Sequence, residues 1–157
     1  MRFRVRELTD RSEVLDLCPL VDRAAAASMA EFRDTPVPAD VARHFFERHL
    51  ESPQCLVLVA EQEPPDAART RPAGVCITAP LVDPLLGESV PLICVLDVDP
   101  GLRHRGVARE LVRVARERLA ARGFPALAAR AGHNDDALIS MGERWGFTRS
   151  WELMLRE

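Results

Sequence analysis

The segment that most restricts the fold is LICVLDVDPGLRHRGVARELV, residues 92–112. Leu92 to Val98 is a near-continuous apolar run, the mark of a strand buried on both faces. Pro100-Gly101 stops it. A helix is predicted from about Arg105 to Arg122, with Val107, Leu111, Val114, Ala115 and Leu119 as its apolar stripe and Gly123 just past its end. Residues 126–131 (ALAARA) read as a second short strand. Strand, helix and strand in this order form a crossover unit whose two strands run parallel.

The remaining elements fit around that unit. Residues 3–8 alternate as a strand. Residues 11–32 carry helical periodicity that Pro19 interrupts, which predicts a kink or two pieces. The prolines of RDTPVPAD predict a loop, and Asp40 is placed to cap a helix running to about Leu50. Residues 55–61 and 73–79 read as strands across a Pro- and charge-rich loop, and residues 80–91 as a second loop. Asn134 or Asp135 begins a helix that ends near Trp145, and residues 149–156 alternate as a last strand. The order β-α-α-β-β-β-α-β-α-β predicts a mixed α/β fold. At 157 residues, a single domain over 1–157 is expected.

The start of the 105–122 helix is where chemistry concentrates. A first helical turn presents unpaired N–H groups and the positive end of the macrodipole, so an anion sits there readily. Gly106 admits a phosphate close to the backbone, Ala108 keeps the next turn small, and Arg103, Arg105 and Arg109 add positive charge. The pattern points to a phosphate or pyrophosphate. No GxGxxG occurs here, and a Walker-type loop is excluded because all 21 basic residues are Arg. The basic stretch continues through Arg113, Arg116, Arg118 and Arg122, where pairing with Glu110 and Glu117 on a solvated face is the competing reading. The net charge of −3 argues against a nucleic-acid surface.

These residues resemble motif A of the GCN5-related N-acetyltransferases, (Gln/Arg)-x-x-Gly-x-(Gly/Ala) after a strand ending in Val-x-Pro. Val98-Asp99-Pro100 followed by Arg103-His104-Arg105-Gly106-Val107-Ala108 matches both parts at the right mutual spacing. Asn134, Ala137 and Gly146-Phe147 match a second mark of the family. The resemblance is specific over 92–147 and only topological over 1–91. It implies that acetyl-CoA is the co-substrate, with its pyrophosphate on the N–H groups of residues 104–108. It implies a bulge near Val98 that splays strands 92–98 and 126–131, and a pantetheine arm lying in that gap. It implies that the Val98 amide polarises the thioester carbonyl, and that Asn134 reaches the CoA arm.

The chain departs from the family at the catalytic groups. Many members protonate the leaving thiolate with a Tyr on the last helix; this chain has no Tyr, and Met141 or Gly142 stands there. Ser140 is the nearest hydroxyl, with a backbone hydrogen bond as its competing role. An alkylamine of pKa ~10.4 is neutral in about one part in 2,500 at pH 7, a cost of roughly 4.6 kcal/mol, so a base must drain the proton. Where some relatives carry a Glu, this chain has Leu92. Asp97 is the first candidate base, with bonding to neighbouring backbone as its competing role; Glu31 and Asp34 are weaker candidates.

Other chemistry-bearing residues read as structural. His44 and His49 are five apart, the wrong spacing for a helical zinc pair, and no metal is expected. His104 and His133 read as loop residues, Trp145 and Trp151 as core, and Cys94 as inert packing. The cysteines at 18, 55, 76 and 94 match no zinc or CxxC spacing. The N-terminus lacks an apolar signal region, and no apolar run approaches the ~20 residues of a membrane span. A reduced, cytoplasmic protein without membrane partners is expected. The leading expectation is direct transfer of acetyl from acetyl-CoA to a primary amine; the alternative is an acyl-CoA-binding module without transferase activity. Acceptor choice is expected from 19–40 and 80–91, and homodimerisation from the C-terminal strand.

Overall fold

A computed structural model describes residues 2–30, 37–63, 71–131 and 135–149. Five strands form one sheet in the order β1 (Arg2–Glu7), β2 (Val57–Glu63), β3 (Gly74–Val82), β4 (Ser89–Val98), β5 (Ala128–Ala129). The first four pair antiparallel, and β4 pairs parallel to β5. Helices α1 (Arg11–Leu15), α2 (Cys18–Ala30) and α3 (Val41–His49) lie between β1 and β2 in sequence; α4 (Val107–Ala121) links β4 to β5, and α5 (Asp136–Arg144) follows. The expected strand at 149–156 lies outside the described residues from 150 onward.

The sheet is covered on both faces, which explains its apolar central strands. On one face, Leu56, Leu58, Cys76 and Ile93 pack with Val107, Leu111, Ala115 and Leu119 of α4. On the other, Val57, Val59, Val75 and Ile77 pack with Val14, Val21, Ala42 and Phe46 of the first three helices. Trp145 packs against the α4 cluster, as expected of a core residue. Glu7, at the end of β1, holds Arg118 at 2.7 Å and Arg122 at 2.6 Å, tying the far half of α4 to the sheet. Arg113 pairs with Glu110 and Glu117. The far end of the basic stretch is therefore structural.

Three local expectations are corrected. Residue Asp40 stands at the cap position of α3, but in the left-handed region (φ 64°) and with no side-chain cap bond. The N–H of Ala42 donates instead to Asp22 Oδ1 of α2, 2.8 Å, so one helix caps another. The expected loop 80–91 is mostly strand, and only residues 83–88 turn. Pro80 pairs with Pro91. The Asp83 N–H donates to Glu88 O at 2.8 Å, which makes that pair a non-hydrogen-bonded rung where neither proline lacks a ladder donor. The strand expected over 126–131 pairs only at Leu92↔Ala128 and Ile93↔Ala129. The two pieces expected around Pro19 are present, with the break at Asp16-Leu17 and Pro19 second in α2.

Candidate active site

The site is built on the last half of β4. Pairing with β3 passes from Ile77↔Val95 to Thr78↔Ile93, so Cys94 is an extra residue without a partner on β3. This bulge lies four residues before Val98, where it was expected. Beyond it the side-chain alternation is offset: Cys94 and Val95 both join the cluster under α2 and α3, while Ile93, Leu96 and Val98 pack on the α4 side. Asp97 then falls on the α2 side.

The backbone of Val98 faces the other edge of β4. Val98 pairs with Gly74, and the N–H of Asp99 donates to Ala73 O at 3.0 Å. That makes Val98↔Gly74 a non-hydrogen-bonded rung, so the Val98 N–H points away from β3, toward the β5 side. Among the described residues, β5 pairs with β4 no further than Ile93. Strands β4 and β5 therefore open between Ile93 and Val98.

The turn into α4 follows directly. Asp99 caps the short 3-10 turn Pro100–Leu102 by accepting from Gly101 N–H at 2.8 Å. His104 (φ 63°) and Gly106 (φ 84°) are both left-handed, while Arg105 between them is not. Such alternation turns successive N–H groups into a shared concavity that suits an anion. Leu102 and Val107 are buried and anchor both sides of the turn, whereas residues 103–106 are exposed. Among the described residues, no ion pair engages Arg103, Arg105 or Arg109. Nothing lies within 4 Å of a Cβ placed on Gly106.

Asp97 lines a cavity of about 210 Å³ with Asp99 of the turn, Arg23 and Ala24 of α2, Arg71 of the loop before β3 and Gly74 at the start of β3. A second cavity of about 550 Å³ shares Arg71 and Pro72 and is bordered by Arg6, Glu13, Asp16 and Glu61. The structure thus joins Asp97, Val98 and the 103–108 turn at one end of β4. Ser140 is exposed on α5, and its side chain makes no hydrogen bond among the described residues. Asn134, His133, Glu31, Asp34 and Trp151 lie outside the described residues. Burial pushes the Cys94 thiol up and keeps it protonated, consistent with packing. Sequence reasoning did not single out Arg23 or Arg71, and the 80–91 hairpin borders neither cavity.

The sequence profile of the acetyltransferase (GNAT) family matches residues 22–147. No curated protein matches the chain. Among solved structures it is similar to an aminoglycoside N-acetyltransferase in complex with CoA, at TM-score 0.72 and 14% identity over 99% of this chain and 94% of that one. A Clostridium acetobutylicum protein whose structure holds acetyl-CoA gives 0.71 and 14% over 99% and 96%. The ribosomal-protein-alanine N-acetyltransferase of Brucella melitensis gives 0.66 and 18% over 100% and 99%. At these identities the structures speak for the fold alone. Among the described residues no helix is long and apolar enough to cross a membrane.

Proposed function

This chain belongs to the acetyltransferase (GNAT) family and is an acyl-CoA-dependent N-acyltransferase, and on that premise we propose that it moves acetyl from acetyl-CoA directly to a primary amine. The observation that carries the reading is the opening between β4 and β5, with the Val98 N–H turned into it and Asp97 on the opposite face. The backbone of residues 104–108, with Arg103 and Arg105 beside it, is proposed to take the pyrophosphate of CoA. The pantetheine arm occupies the opening, and Asn134 contacts it.

In this proposal the acceptor enters from the α2 side. Asp97 takes the ammonium proton, the amine nitrogen attacks the thioester carbon, and an N–C bond forms as the C–S bond breaks. The Val98 N–H receives the oxyanion, a contribution typically of about 3–4 kcal/mol. The proton that the nitrogen sheds as the amide forms passes through Ser140 or water to the CoA thiolate. Alignment of the two substrates in one complex supplies much of the rate. The fold supports one domain over 1–157, and the four free thiols fit the cytoplasm.

Thermal unfolding with acetyl-CoA, against NAD and ATP, tests the cofactor half. Ligand at about a hundred times its Kd stabilises by roughly 2.7 kcal/mol, a rise of about 5–11 °C for a chain of this size. The expected rise is specific to acetyl-CoA and is lost in Gly106→Glu. Amine-dependent thiol release tests the other half. Binding without release on a broad amine panel establishes an acyl-CoA-binding module instead. No rise with acetyl-CoA or longer acyl-CoAs removes both readings.

A further inference from the structure

Resting on the acetyl-transfer reading, we propose that the acceptor is an amino acid, its carboxylate held by Arg23 and Arg71 while its amine reaches Asp97. The three side chains come from three places in the chain: Arg23 from α2, Arg71 from the loop just before β3 and Asp97 from the end of β4. They border one cavity of about 210 Å³. That is below the ~300–1,000 Å³ of pockets that enclose a whole drug-sized ligand, and it suits a compact head group. The larger cavity of about 550 Å³ shares Arg71 and Pro72 with it, and has room for the acceptor's side chain.

The charges decide the class. Two guanidiniums and two carboxylates line the smaller cavity. Asp99 is engaged, accepting from the Gly101 N–H at 2.8 Å to cap the turn. The remaining groups are two cations and the one carboxylate of Asp97. Among the described residues, Arg23, Arg71 and Asp97 make no ion pair and no side-chain hydrogen bond, whereas Arg6, Arg113, Arg118 and Arg122 are all held by glutamates. Guanidinium is the side chain whose planar fork matches a carboxylate with two parallel hydrogen bonds. A polycationic acceptor brings like charges against both arginines, while an amino acid brings one group for each sign present. The same guanidiniums favour the neutral amine, since nearby positive charge disfavours an ammonium. The reactive form and the bound form are then selected by the same pair.

The test compares transfer rates from acetyl-CoA to L-leucine, L-methionine, L-glutamate and L-lysine with rates on their α-amides, on spermidine and on an aminoglycoside. The expected result is an acid-over-amide preference of about ten- to a hundredfold in kcat/KM, as a lost hydrogen bond to a charged partner implies. In Arg23→Gln and Arg71→Gln that ratio falls toward one through the acceptor KM, while the KM for acetyl-CoA holds. Both arginines are exposed, so the variants are expected to melt with the wild type. If a variant fails to fold, the acid-to-amide ratio of the wild type alone decides. Equal or faster transfer to amides or polycations overturns the inference and leaves acetyl transfer standing. Transfer to no amine, with acetyl-CoA still stabilising the fold, overturns the acetyl-transfer reading and this inference together.

Discussion

Gly74→Ala adds a single methyl group at the point where the sheet meets the start of α4. A Cβ on Gly74 would lie 2.8 Å from Val107 Cγ1, 3.1 Å from Leu111 Cδ1 and 3.0 Å from the backbone oxygen of Asp97. Carbon pairs prefer about 3.5–4.0 Å, so the new methyl overlaps both α4 side chains by roughly 0.4–1.2 Å. Neither neighbour yields easily: Val107 and Leu111 are fully buried, and Asp97 O belongs to the paired backbone of β4. Overpacking of this kind costs about 1–3 kcal/mol. Gly74 is not left-handed, so alanine brings no backbone strain there and returns about 0.4–1 kcal/mol through the unfolded chain. The net expectation is a loss of about 1–2 kcal/mol, or a Tm lower by roughly 2–8 °C. Because α4 must shift away from β3, its first turn moves relative to the end of β4. The stabilisation by acetyl-CoA is expected to shrink as well. Differential scanning calorimetry with and without acetyl-CoA reads both effects. A variant that melts with the wild type and keeps its full acetyl-CoA shift refutes the reasoning.

Two further outcomes concern stability alone. Thr78 is fully buried; its hydroxyl donates to Gln54 O at 2.7 Å and accepts from the Leu56 N–H at 3.0 Å. Thr78→Val keeps the shape and strands both backbone groups, so urea unfolding is expected to show a loss of about 2–4 kcal/mol; less than ~1 kcal/mol means the groups find other partners. Burial pushes the thiols of Cys55 and Cys76 up to about 12. The folded chain then keeps protons that the unfolded chain releases above pH ~8.5, so this stability is complete below that pH and declines as pH rises toward 12. The two thiols alone predict a slope of about −2.7 kcal/mol per pH unit inside the window. With no Tyr and no Lys in the chain, few other groups compete for that signal. A flat stability from pH 9 to 11 contradicts it.

The parts of the fold that were legible in the sequence are those written locally. The apolar run 92–98, the Pro100-Gly101 stop and the stripe from Val107 to Leu119 each depend on neighbours a few residues away, and each element is found there. So is the turn: Gly106 was read as a backbone position, and it is left-handed. What escaped depends on partners far along the chain. The cap on Ala42 comes from Asp22, twenty residues earlier. Pro80 and Pro91 look like breakers one at a time and are harmless only because they face each other. The extra residue at Cys94 has no glycine or proline to announce it. Arg23 and Arg71 meet Asp97 only once α2 has folded over the ends of β3 and β4.

The bulge at Cys94 separates composition from counting. Ile93 pairs with Thr78 and Val95 with Ile77, neighbours on β3, so Cys94 is one place more than the ladder uses. Substituting Cys94 by another small residue keeps that count. Deleting it would leave the other pairs of β3 and β4 unchanged, with Asp97 still on the α2 side and Val98 still on the α4 side. Backbone polarity would hold too, with the Val98 N–H still pointing away from β3; what would go is the local bend and added twist of the bulge. The odd residue is therefore a spare place, able to absorb the loss of one residue from this half of the strand. An insertion of one residue in β4 has no such allowance and is the harsher change of length.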